Sequence, residues 1–249
     1  MSIDVIGKRI VHFPRQDDKF EFDHEVAAIF PDMAVRSIPM YAEAHRLHVS
    51  MLLDRFLDQD HIRVLDVGAS RGEFFKEVCN QLQWPLEQRH PRMDLVAIDS
   101  SESMLKLLCG EVPWVRPIVS KVEDLQPEPN SADVICMMYI LQFIQSHSDK
   151  LKALQWAYET LKPGGVLILG QKDEVTDTYL AMFSDEYIRF RMRNGYSLAE
   201  IKAKTAALKN SMWPISPAWL EDMCYQAGFI DYVVTSRWLQ FSTSICTKR

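Results

Sequence analysis

Apolar residues fall along this chain in short dense blocks, separated by stretches with helical spacing. Ile62, Val64, Leu65 and Val67 form one block. Leu95 to Ile98, Val115 to Val119, Ala132 to Met138 and Val166 to Leu169 form four more. Blocks this rich in apolar side chains, without strict alternation, predict strands buried on both faces and hence a parallel sheet covered by helices. Between them lie a helical pattern opening at Glu73, Phe74 and Phe75, and another over Met104, Leu105 and Leu108 behind a Ser100-Ser101-Glu102 cap. A third helical stretch follows the fourth block and ends near Leu161. Pro163-Gly164-Gly165 is expected to end that helix, by removing a donor and supplying positive φ, and to turn the chain into the fifth strand. Ile230 to Val234 and Trp238 to Cys246, with a short turn between them, predict an antiparallel hairpin at the sheet edge.

The end of the first block carries the first chemical signal. Val64-Leu65-Asp66-Val67-Gly68-Ala69-Ser70-Arg71-Gly72 is a strand running into a small-residue turn and then a helix. Gly68 permits backbone angles closed to other residues, and Gly72 allows close packing at the helix start. The spacing is more compressed than the dinucleotide fingerprint and resembles motif I of class I S-adenosylmethionine (SAM)-dependent methyltransferases. The second strand ends on Asp99, about thirty residues after the first glycine. A carboxylate at that strand tip accepts hydrogen bonds from both hydroxyls of a ribose.

Composition narrows the partners. The 249 residues are 47% hydrophobic and 25% charged, which suits one α/β domain with an insertion. A net charge of −6 gives no basic field to attract nucleic acid, so no direct DNA binding is expected. Five scattered cysteines without C-x-x-C spacing predict reduced thiols in a cytoplasmic protein, with no metal site. No apolar run approaches the ~20 residues that span a bilayer, so no membrane partner is expected. His45 and His48 are read as positions on one helix face rather than as a metal pair. After the fourth strand there is no Asp/Asn-Pro-Pro-aromatic tetrad, and the chain has no Pro-Cys dipeptide. The first absence argues against amino-methylation of adenine or cytosine bases, and the second against the usual cytosine C5 nucleophile.

Two segments lie outside the nucleotide-binding core. One runs from Phe20 to Tyr41 and reads Phe-x-Phe-Asp-x-x-Val-Ala-x-x-Phe-Pro-Asp-Met-x-x-Arg-Ser-x-Pro-x-Tyr. The other includes Asn194-Gly195-Tyr196-Ser197, Glu200-Ile201 and Asn210-x-Met212. With Leu141-Gln142-Phe143, Pro163-Gly164-Gly165 and Ala227-Gly228-Phe229, these motifs resemble the carboxy-S-adenosyl-L-methionine synthase family over roughly residues 20 to 245. Members of that bacterial tRNA-modification family make carboxy-SAM from SAM and prephenate. The resemblance implies a single α/β domain over residues 1–249 with the Rossmann-like class I methyltransferase fold: a mostly parallel sheet with a C-terminal antiparallel hairpin. An N-terminal helical lid over 1–60 and a helical insertion after strand five, over 174–212, complete it. It further implies SAM as cofactor, a small-molecule substrate, and a homodimer in which the insertion reaches the partner's site. Tyr41, Gly68, Ala69, Ser70, Asp99 and Ser100 match SAM-contacting positions, and Asp66, Lys121, Val122 and Met138 complete the candidate cofactor set.

Three positions depart from the family pattern. Its adenine-side acid falls on Lys121, with Glu123 and Asp124 as neighbours, and its asparagine after strand four falls on Met138. Its arginine, which pairs with the added carboxylate of carboxy-SAM, falls on Thr205, after Lys204. A carboxylate in a pocket without a cation is costly. Thr205 therefore predicts little carboxy-SAM formation unless Arg189, Arg191 or Arg193 takes over. Tyr139, Gln171 and Lys172 are the groups near the strand ends from which a base would come, and none is singled out. Three readings follow: a SAM-dependent methyltransferase of unknown acceptor, a carboxy-SAM synthase with a rebuilt carboxylate site, or a non-catalytic SAM-binding protein.

Overall fold

The computed structural model describes residues 24–249, so Phe20 to Asp23 of the N-terminal motif lie outside it. Four of the five apolar blocks become parallel strands close to where they were expected: β1 (Ile62–Val67), β2 (Met93–Asp99), β3 (Arg116–Val119) and β4 (Ala132–Met138). The fifth is longer than its block, because β5 spans Leu161–Lys172. Helix α5 (His147–Thr160) ends before Pro163, and the Pro-Gly-Gly run lies within β5 instead of ahead of it. Its pairing explains this. Leu161 pairs with Ala132, then the register shifts and Val166 resumes opposite Val134. Gly164, at φ +80°, absorbs the irregularity as a bulge does.

The seven strands run β3-β2-β1-β4-β5-β7-β6. The hairpin forms over β6 (Val233–Trp238) and β7 (Phe241–Thr247), a few residues later than its apolar pattern suggests. Its second strand is not at the edge: β7 inserts antiparallel between β5 and β6. Alternate residues feed two cores. Val64 and Val134 pack with α2 (Tyr41–Phe56), α3 (Glu73–Gln81) and α4 (Glu102–Glu111) through Leu52, Phe75 and Leu108. Leu65 and Ile135 face α5 and α8 (Pro217–Ala227) through Leu154 and Leu220. Strand order reverses at β1, which opens a crevice beyond the carboxyl ends of β1 and β4, where ligands bind in folds of this kind.

The outer segments form α1 (His24–Ser37), α6 (Asp177–Arg193) and α7 (Leu198–Leu208). Of the expected N-terminal lid, α2 belongs to the core and meets the crevice through its first residue, Tyr41, while α1 borders it through Phe30, Met33, Ala34 and Ser37. Gly195, at φ +84°, ends α6, and Ser197 caps α7 in a reciprocal box with Glu200. Arg36 of α1 clasps this connection. Its guanidinium donates to the carbonyls of Asn194 and Gly195, each at 2.7 Å, and lies 4.1 Å from the Tyr196 ring centre.

Candidate cofactor and substrate cavity

Gly68, the first residue after β1, has φ +74°, and a Cβ there would overlap Cγ2 of Ile140. No other residue fits without moving the start of the loop that follows β4. Two residues on, Ser70 takes the left-handed conformation, φ +50°, which is uncommon for a side chain of this kind. That turn aims its N–H at Oδ2 of Asp99, 2.8 Å away, while the Ser101 N–H reaches Oδ1 at 2.8 Å. Burial raises the Asp99 carboxyl above its ordinary value, and these amides together with Ser100 oppose the rise. Ser70 and Ser101 occupy one site on each oxygen, and a carboxylate oxygen accepts two. Beyond the Ser100 amide the carboxylate keeps acceptor capacity for ligand hydroxyls. Ser101 caps α4 by accepting from Met104, so Asp99 is not needed as the side-chain cap.

The crevice is a cavity of about 1030 Å³. Eight of the ten candidate residues line it: Tyr41, Gly68, Ser70, Asp99, Ser100, Lys121, Val122 and Met138. The other two do not. Ala69 is buried, and Asp66 points into the sheet beside Cys136, its partner across β1 and β4. Burial pushes the Asp66 carboxyl up to about 8, the Cys136 thiol opposing the rise with a hydrogen bond. Glu123 reaches the cavity wall at the β3 end and Asp124 does not. Tyr139 lines the wall with φ +63°, its N–H donating to the Gly170 carbonyl at 2.6 Å. Gln171 is buried and donates to Asp173.

Three cations from the later elements also line the cavity: Lys172 of β5, Arg191 of α6 and Lys204 of α7. Lys204 donates to Ser37 Oγ at 2.7 Å, and Ser37 Oγ lies 3.2 Å from the Tyr196 hydroxyl. Burial, then the charges of Arg191 and Arg36, push the Lys204 amine down to about 7. Lys172 is also lowered, by burial and then by Arg191. Among the described residues no carboxylate pairs with any of the three. Asp173, which also lines the cavity, lies 3.5 Å from Arg237. Arg189 and Arg193 are spent elsewhere, both on Glu186 at the exposed face of α6. Sequence reasoning named Arg191 only as one of three and did not see Ser37, Tyr187 or Tyr196 as its surroundings. The one available sign was the pairing of Arg36-Ser37 with Asn194-Gly195-Tyr196 among the outer motifs.

Among the described residues no group of three or more His, Cys, Asp or Glu is placed to hold a metal, and no helix is long and apolar enough to cross a membrane. His45 and His48 are both buried in α2, and His48 bonds the Ala44 carbonyl and Thr235 Oγ1.

Residues 41–229 match a family model described as a methyltransferase domain. The carboxy-S-adenosyl-L-methionine synthase of Nautilia profundicola is 32% identical over 238 residues, covering 93% of this chain and 96% of its own. That of Wolinella succinogenes is 33% identical over 236 residues, covering 92% and 94%. Among solved structures, a SAM-dependent methyltransferase of Thermotoga maritima aligns with TM-score 0.58 and 18% identity, over 91% of this chain and 98% of its own. A phosphoethanolamine N-methyltransferase of Haemonchus contortus, solved with S-adenosylhomocysteine, aligns with TM-score 0.59 and 15% identity, over 96% and 61%. These structural neighbours share the fold.

Proposed function

This chain belongs to the methyltransferase-domain family as a SAM-dependent transferase, with the carboxy-S-adenosyl-L-methionine synthases as its kin, and from that premise we propose that it forms carboxy-SAM. The observation that carries the proposal is the joining, in one cavity, of the Gly68–Asp99 cradle and the unpaired wall of Lys172, Arg191 and Lys204. Three cations without a paired carboxylate exceed what the one carboxylate of SAM needs, and so suit a second carboxylate in the cavity. Thr205 argued against this chemistry unless Arg189, Arg191 or Arg193 took over. Arg191 supplies that cation.

The residues fit SAM at the nucleoside end, where the acceptor capacity of Asp99 suits ribose hydroxyls and Gly68 lines the same cavity. When bound, SAM supplies an electrophilic sulfonium centre. In this reading Ser70 and Ser101 hold the Asp99 carboxylate in place, and Tyr41 and Met138 cover the ligand. The cations of β5, α6 and α7 bind and orient the carboxylate, while α1 and α7 close the cavity against water. The reading extends to a cytoplasmic homodimer. Five unpaired cysteines support the compartment, and exposed Tyr179, Leu180 and Met182 on α6 support the contact. Light scattering that finds a monomer at micromolar concentration contradicts the dimer. The cavity's occupant is tested by mass spectrometry of the small molecule released from natively purified protein. Carboxy-SAM or SAM is expected, and release of no adenosyl compound contradicts the proposal.

A further inference from the structure

Arg191 is 7% exposed, and its surroundings are unusual for a buried guanidinium. Its Cζ lies 4.2 Å from the Tyr187 ring centre, and its Nη1 donates to Thr205 Oγ1 at 3.4 Å. Its Nε is buried with no partner. Thr205 is committed in the other direction: its hydroxyl donates to the Ile201 carbonyl at 2.7 Å, which leaves a lone pair toward Arg191. Tyr187 is itself fixed by donating to the Ser37 carbonyl at 2.8 Å. A guanidinium held on an aromatic face by a threonine, short of one hydrogen bond and of any counter-charge, is a prepared anion site. Lys204 is tied to two hydroxyls and offers a point charge, whereas Arg191 offers a planar fork that matches a carboxylate.

We propose that Arg191 is the residue that receives the ligand carboxylate, and that Thr205 positions its guanidinium, so that 191 and 205 act as one exchangeable unit. The proposal rests on the carboxylate-binding reading above and assigns it to a single side chain. It makes Thr205 part of the site, not a loss. It also makes a specific prediction for a cation at position 205. An arginine placed there while Arg191 remains sets two guanidinium groups side by side, and should weaken the site instead of strengthening it.

The test is a double-mutant cycle read by titration calorimetry with S-adenosylhomocysteine, with carboxy-SAM, and with prephenate added to S-adenosylhomocysteine-loaded protein. Wild type should bind carboxy-SAM, or prephenate on the loaded protein, and Arg191→Ala should lose about tenfold or more of that affinity. Binding of S-adenosylhomocysteine, which lacks the added carboxylate, should fall far less, and circular dichroism verifies folding. Thr205→Arg alone should weaken carboxylate binding, and the Arg191→Ala, Thr205→Arg double variant should recover part of the loss. Thr205→Val, which keeps the shape and removes the hydroxyl, should give a smaller loss. Should Arg191→Ala fail to fold, Arg191→Lys serves, with an intermediate loss expected. The carboxylate is on the adenosyl ligand if the loss is seen with carboxy-SAM, and on the second substrate if it is seen with prephenate. Full carboxylate affinity in Arg191→Ala or Arg191→Lys, or tighter binding by Thr205→Arg alone, overturns the proposal. Failure of wild type to bind S-adenosylhomocysteine instead overturns the function on which it rests.

Discussion

Asp99 and Lys204 both line the cavity and make separate demands on a ligand. Asp99→Ala removes both acceptors offered to a ribose and should weaken S-adenosylhomocysteine binding by about 2–3 kcal/mol, as charged hydrogen bonds do. Calorimetry that gives equal affinities contradicts that role. Lys204 carries the pH dependence. Arg191 from α6 and Arg36 from α1 face it with like charge, Asp32 from α1 opposes them, and Tyr196 lies beside it, so its amine is protonated only below about 7. Carboxylate affinity should thus be highest below pH 7 and fall as pH rises through that value. The fall should be absent in Lys204→Met. A wild-type profile that is flat between pH 6 and 8 contradicts a charged Lys204 in the anion wall. At this scale Gly68 and Asp99 were legible, because a tight strand-to-helix turn and a strand-tip acid are local signals. Asp66 was not, since its strand position reads the same whether it faces the cavity or, as here, Cys136.

The central elements followed from apolar blocks because residues buried on both faces have no other arrangement. The Pro163-Gly164-Gly165 run misled for a physical reason: a turn and a bulge both need a glycine at positive φ, and only the partner strand distinguishes them. The hairpin was legible, but its insertion beside β5 depends on long-range pairing that the local pattern lacks. The seam between α1 and the α6–α7 connection was the least visible element feature, since its partners are 158 residues apart. Arg36→Ala removes two hydrogen bonds and the contact with Tyr196 at once. Faster amide hydrogen exchange is expected in α1 and α7, with the β1–β4 core unchanged. Carboxy-SAM should lose affinity more than S-adenosylhomocysteine does. Unaltered exchange across α1 and α7 contradicts the seam as the fastening of the cavity wall.

Across the whole molecule, a cradle at the ends of β1 and β2 meets a cationic wall assembled from β5, α6 and α7, and the two share one cavity. The cradle belongs to the fold, and the wall belongs to the outer segments. That division separates the general capacity to bind SAM from the particular reaction performed with it. Thr205, taken alone, pointed away from carboxy-SAM, because a sequence cannot tell that Arg191 returns to the same place from another helix. The most direct test is turnover: purified protein incubated with SAM and prephenate, with the adenosyl products resolved by mass spectrometry. The account predicts a product heavier than SAM by one carbon dioxide unit, formed by wild type and strongly reduced in Arg191→Ala. Wild-type protein that binds SAM and yet forms no carboxy-SAM would contradict it.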